Sequence, residues 1–130
     1  MRLLVIAAVS ALALSGTATA TPRERGEAEL AKMLQGRVAG PPTDCIRTFS
    51  NNQMQKIDRT ALVFGRGDVI YVNRTTDPAS IDENEAMHIR KMGTGSDLCR
   101  TDIITTFEPA AHFYTGNVFL TDFVPYRRVR

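Results

Sequence analysis

Ala61-Leu62-Val63-Phe64-Gly65-Arg66-Gly67-Asp68-Val69-Ile70-Tyr71-Val72 is the stretch that decides the fold class. Two short runs of β-branched, aromatic and aliphatic residues flank a glycine-rich centre, which is the pattern of a β-hairpin. Gly67-Asp68 at the turn suits a type II′ connection, because glycine takes a positive φ there without steric penalty. Both arms carry apolar residues on both faces. The hairpin therefore belongs at the centre of a sheet or in the wall of a closed barrel, not at an exposed edge.

Working outward, Cys45 to Phe49 reads as a strand and the polar stretch Ser50 to Gln55 as a loop. Asp77-Pro78-Ala79-Ser80 and Gly93-Thr94-Gly95-Ser96 mark turns, and Glu85 to Met92 between them suits a helical turn or a strand. Cys99 to Phe107 is β-branched enough for a strand ending near Glu108-Pro109. His112 to Thr115 and Val118 to Val124 flank Gly116-Asn117 as a second hairpin that stops before Pro125. On the N-terminal side, Thr21-Pro22-Arg23-Glu24 matches a capping box with proline at the first helical position. Leu30, Met33, Leu34 and Val38 then form one apolar stripe, with Gly36 or Gly40-Pro41-Pro42 as the stop. The expected fold is mainly β (α+β): a small antiparallel sheet or barrel of five to seven short strands with one N-terminal amphipathic helix.

The first twenty residues read as an export signal. Arg2 supplies a positive start, Leu3 to Leu14 holds a single polar residue (Ser10), and Ala18-Thr19-Ala20 is a small-x-small cleavage pattern, so the cut falls between Ala20 and Thr21. The apolar run is too short for a transmembrane helix, which takes about 20 residues. The resulting organisation is a signal peptide (1–20), a helix and linker (21–40) and a single β-rich domain (41–130). The expected location is the periplasm or the extracellular space. An oxidising compartment lets Cys45 and Cys99 persist as a disulfide, which over about 55 residues stabilises a fold by roughly 4 kcal/mol in the chain-entropy model. The alternative is a redox pair, with Arg100 beside Cys99 favouring a thiolate, but a Cys-x-x-Cys spacing is missing.

Without residues 1–20 the chain keeps 15 basic residues against 14 acidic ones. The signs are interspersed, which speaks against a nucleic-acid partner. Arg127, Arg128 and Arg130 alone cluster, and they read as a solvated tail, with a docking site for an acidic surface as the lesser reading.

A resemblance rests on Gly36-Arg37-Val38-Ala39-Gly40-Pro41, Asp44-Cys45-Ile46, Asp58-Arg59-Thr60-Ala61, Tyr71-Val72-Asn73, Leu98-Cys99-Arg100-Thr101-Asp102-Ile103 and Phe123-Val124-Pro125-Tyr126-Arg127-Arg128. Over roughly Gly36 to Arg128 the chain resembles a family of small signal-peptide-bearing exported proteins of Gram-negative bacteria, described only as a domain of unknown function. The resemblance implies export, a cysteine pair and a small strand-rich domain. It carries no activity and no catalytic residues.

Chemistry-bearing patterns are sparse. Glu85-Ala86-Met87-His88 has the Glu-x-x-His spacing of a helical metal site, yet the second pair such sites require is absent, and a surface coincidence is the favoured reading. His88 and His112 are the histidines that Asp102 or Glu108 could join in a zinc site or an acid/base pair. The Gly-x-Ser-x-Gly, Ser-x-x-Lys and His-Glu-x-x-His signatures are all missing. Arg66-Gly67-Asp68 reads as turn chemistry and the sequon Asn73-Arg74-Thr75 as coincidence. The sequence thus favours a non-catalytic binding or envelope-associated domain with no cofactor or metal. Its partner would be an unknown protein or small molecule in a pocket lined by Tyr71, Tyr114 or Phe119. The alternative is a small exported hydrolase or metal-dependent enzyme using His112 with an acidic partner such as Asp102.

Overall fold

The central hairpin forms as its residues dictate. In the computed structural model, which describes residues 16–47 and 53–130, β4 (Ala61–Phe64) pairs with β5 (Val69–Asn73), with Phe64 opposite Tyr71 and Val63 opposite Val72. That register centres the reversal on Gly67-Asp68, and Gly67 has φ +86°. The two arms are indeed central in a five-stranded antiparallel sheet. Its order is β1 (Arg37–Ala39), β10 (Val124–Arg128), β5, β4, β3 (Met54–Ile57). A two-stranded sheet pairs β2 (Cys45–Ile46) with β7 (Leu98–Cys99), and β8 (Ile103–Phe107) lies between β6 (Ala86–Arg90) and β9 (Tyr114–Phe119) in a three-stranded sheet. Among the described residues the fold is mainly β with one α-helix, in open antiparallel sheets and not a closed barrel.

Period-2 alternation sends the two faces of the large sheet into two cores. Ala61, Val63, Ile70 and Val72 meet Leu30 of the helix α1 (Pro22–Met33) on one side. Leu62 and Phe64 meet Ile46, Leu98, Ile104, Val118 and Phe123 on the other, beneath the two smaller sheets. Phe64 and Phe123 stack edge to face at 5.6 Å, a geometry worth about 1 kcal/mol beyond their buried area. The result is a layered α/β/β arrangement in the sense of helix, central sheet, outer sheets.

The helix begins with the expected capping box: the Thr21 hydroxyl accepts from Glu24 N, and Thr21 N donates to the Glu24 carboxylate at 2.6 Å. Gly26 lets α1 approach the β3–β4 turn, where a Cβ would collide with Thr60 Oγ1 and the Asp58 carbonyl. Leu30 is buried and Met33 and Leu34 pack against the same core, but Val38 lies beyond the helix on β1.

Ten strands form among the described residues where five to seven were expected, because β1, β2 and β7 are only two or three residues long and too short to show a period. The expected linker supplies β1, which closes the edge of the main sheet. Met54 and Gln55 belong to β3, not to a loop; Ile57 is its one buried residue, and edge strands tolerate such polarity. The run Cys99 to Phe107 is two strands separated by a turn at 100–102. Gly116-Asn117 is not a turn: β9 runs straight through it opposite Thr105 and Thr106, and the reversal lies at 108–113. Pro125 does not end the last strand. Its carbonyl accepts from Gly40 N, so its missing N–H faces the point where pairing with β1 stops.

The disulfide Cys45–Cys99 is formed, between residues directly opposite each other in β2 and β7 with Cα atoms 4.0 Å apart. The residues read as the core of the signal peptide, 1–15, lie outside the described residues.

Candidate functional site

The three-stranded sheet covers only part of the large sheet. Val69 and Tyr71 on β5, Pro125 and Arg127 on β10 and Val38 on β1 share the face that carries Leu62 and Phe64, since they are cross-strand neighbours in register. Among the described residues, Val38 and Arg127 on that face are exposed and Val69, Tyr71 and Pro125 half-buried. The chain from Gly40 to Arg47 runs alongside them as a wall and closes a groove of about 730 Å³, within the range of small-molecule sites.

Sequence chemistry makes that wall stiff. Gly40 N donates to the Pro125 carbonyl at 2.7 Å, and Pro41-Pro42 restricts the next two φ angles. Thr43 and Phe123 exchange two backbone hydrogen bonds of 2.9 Å. The far end is held covalently by Cys45–Cys99. Behind that bridge Asp102 fastens the loop carrying Cys99. Its buried carboxylate accepts from Cys99 N and Met92 N at 2.8 Å each and pairs with Lys91 Nζ at 2.6 Å. Burial alone would raise the Asp102 pKa, but the donors from Cys99, Lys91 and Met92 outweigh it and hold the carboxyl below its ordinary value.

A second clasp secures the top of β5. Asn73 is fully buried; its Nδ2 donates to Thr121 O at 2.7 Å, and its Oδ1 accepts from Thr75 N, Thr121 N and Thr121 Oγ1. The amide that spells a sequon is thus consumed internally.

Val38, Pro41, Ile46, Val69, Tyr71 and Pro125 give the groove its apolar lining, with polar surface of similar extent beside them. Its charged lining residues, Arg47 and Arg127, are both cationic. Arg127 is exposed and pairs with no carboxylate among the described residues. Val38 keeps 59% of its surface exposed, an apolar area left uncovered among the described residues. The arrangement can take a molecule with an apolar body and an acidic end.

The residues singled out for catalysis are dispersed. Asp102 precedes β8 and Glu108 follows it, so His112 in the 108–113 turn stands about 20 Å along the strand from Asp102. His112 has φ +57° and is exposed; its backbone N–H bonds the Glu108 carbonyl, while the Glu108 carboxylate accepts from Ala110 N and Ala111 N. Those two amides hold the Glu108 carboxyl below its ordinary pKa. His88 is exposed on β6 opposite Thr105. His88 lies on β6 and Glu85 in the turn that precedes it, so the helical ligand geometry is lost. Among the described residues no three His, Cys, Asp or Glu side chains gather as a metal site, and no helix is long and apolar enough to cross a membrane.

Of the three aromatic residues expected in a pocket, Tyr71 lines the groove. Tyr114 and Phe119 stand on β9 with half or more of their surface exposed. Sequence reasoning missed Val38, Ile46, Val69, Pro125 and Arg127 as neighbours. The one available signal was the apolar character of Val69 and Tyr71 on a face that the short outer strands are too few to cover. No family model matches this chain, and no curated protein or solved structure matches it.

Proposed function

We propose that this protein is a non-catalytic binding domain of the cell envelope, exported by its first twenty residues, and that it holds a small amphipathic ligand in the groove beneath Tyr71. The resemblance to exported proteins of Gram-negative bacteria supports the location, and the disulfide is compatible with it. One observation carries the binding reading: Val38, Val69, Tyr71 and Pro125 form an uncovered apolar floor beside Arg127, enclosed by a wall that a covalent bridge holds open. Apolar contact with Tyr71 and Pro125 would supply affinity, and Arg127 would orient an acidic group.

A thermal-shift screen of the disulfide-bonded protein tests this with medium-chain fatty acids, aromatic carboxylates and their uncharged amides. A ligand of the native state raises Tm by mass action. The acids should raise Tm more than the amides, and Tyr71→Ala should abolish the shift while Arg127→Gln removes the preference for acids. Equal responses of wild type and Tyr71→Ala would defeat the proposal.

A further inference from the structure

The arginines of the final strand are not a loose tail. Arg128 lies directly opposite Arg37 in the β1–β10 ladder, so both side chains leave the sheet on the same face, the one carrying α1. Arg37 Nη2 donates to the Gly67 carbonyl at 2.7 Å and Nη1 to the Asp68 carbonyl at 3.1 Å, with a further contact to Tyr126 O. Arg128 Nε reaches the same Gly67 carbonyl at 3.4 Å. Two guanidinium groups therefore converge on one oxygen atom. Like charges facing each other across a ladder are unfavourable, and no carboxylate bonds to either among the described residues. Burial, and then Arg128 beside it, lower the Arg37 pKa, while Asp68 acts the other way.

Around this pair the chain opens a cavity of about 530 Å³, lined by Lys32, Gln35, Gln55, Arg66 and the Gly65–Gly67 backbone as well. Four cations face it and none of its lining residues is acidic. Two carboxylates stand outside the lining: Asp68, which pairs with Arg130 at 3.2 Å, and Glu29, which accepts from Gln55 at 3.5 Å. Lys32 sits in the last turn of α1, where its charge offsets the negative end of the helix dipole. For a chain with almost no net charge, four cations around one concavity are a marked segregation.

We propose that this concavity, formed by Lys32, Arg37, Arg66 and Arg128, is a binding site for a phosphate-bearing anion. The planar guanidinium groups can each present paired N–H donors to phosphate oxygens, and the anion would remove the repulsion between Arg37 and Arg128. The site lies on the opposite face of the sheet from the Tyr71 groove and does not depend on it. The shared chemistry is a clustered phosphate, whether free or on a lipid headgroup.

Two-dimensional NMR of the disulfide-bonded protein, titrated with pyrophosphate against sodium chloride of equal ionic strength, is the test. Saturable shifts should appear at Arg37, Gly65 to Asp68 and Arg128. They should weaken at least about tenfold in Arg66→Gln/Arg128→Gln, which leaves the Arg37 anchor intact, and persist in Arg23→Gln at the far end of α1. Shifts that follow ionic strength alone, or a double variant that titrates like wild type, would overturn the proposal. Co-sedimentation with phosphatidylglycerol but not phosphatidylcholine vesicles, lost in the double variant, assigns the phosphate to a headgroup. Pyrophosphate shifts without vesicle retention assign it to a free anion, and vesicle retention without pyrophosphate shifts overturns the site in favour of diffuse surface charge.

Discussion

The two faces of the central sheet are closed by different means. On one, a single helix lays Leu30 over Ile57, Val63 and Val72, and the closeness of that contact depends on Gly26 having no side chain. On the other, an apolar core under Leu62 and Phe64 covers part of the sheet, and discrete fasteners hold the rest: the disulfide, the Asp102 carboxylate and the Asn73 amide. The difference teaches that a face need not be fully covered to be rigid. Under α1 apolar contact seals the sheet and leaves open only the arginine cavity at its rim; on the other face a groove survives beside the fasteners.

The comparison breaks most sharply at the bridge. Cys45→Ser/Cys99→Ser should lower stability by roughly 4 kcal/mol in chemical denaturation, with the loss of order concentrated at 40–47 and 91–102 in hydrogen exchange. If protection falls equally under α1, the two faces are one unit. Next comes Asn73→Ala, which strands the buried Thr121 and Thr75 amides and should remove about 3 kcal/mol, again from the fastened face. Gly26→Ala probes the other face, where overpacking against Thr60 should cost about 2 kcal/mol and leave exchange at 40–47 unchanged.

Acid gives the smallest and most selective effect. The Asp102 pKa is depressed in the folded state, so its contribution is present above the ordinary value of 3.8 and disappears as the pH drops through the lower folded value. Asp102→Asn should therefore be less stable than wild type at pH 7, and the gap should narrow in acid. A gap that stays constant from pH 7 to pH 2 would mean the carboxylate's charge is immaterial.

How much of this was legible follows from where each signal resides. The hairpin 61–72 declares itself because its apolar runs and the Gly67-Asp68 turn are contiguous. The start of α1 is equally local, in Thr21, Pro22 and Glu24. The cysteine pairing was within reach because two cysteines allow one bridge. Strands held by tertiary partners were not: β3 carries Gln55 and Lys56, and β1 is three residues long. Gly116-Asn117 spells a turn, yet both residues pair within β9, opposite Thr106 and Thr105. Beyond the apolar Val69 and Tyr71 the groove was not legible, since its floor and wall come from 38–47, 69–71 and 125–127, brought together only by the sheet order. His112 misled because its place in a turn reflects the misplaced second hairpin.

The position of β10 has a kinetic consequence. The strand nearest the end of the chain lies between β1 and β5, so β1 has no sheet to join until residues 124–128 arrive. Pairing Arg37 with Arg128 closes a long loop, and contacts so distant in sequence slow folding. A chain emerging from its N-terminus can form the β4–β5 hairpin early, while both the groove and the arginine cavity wait for the final strand. The two concavities proposed to bind ligands thus form only once residues 124–128 have joined the sheet.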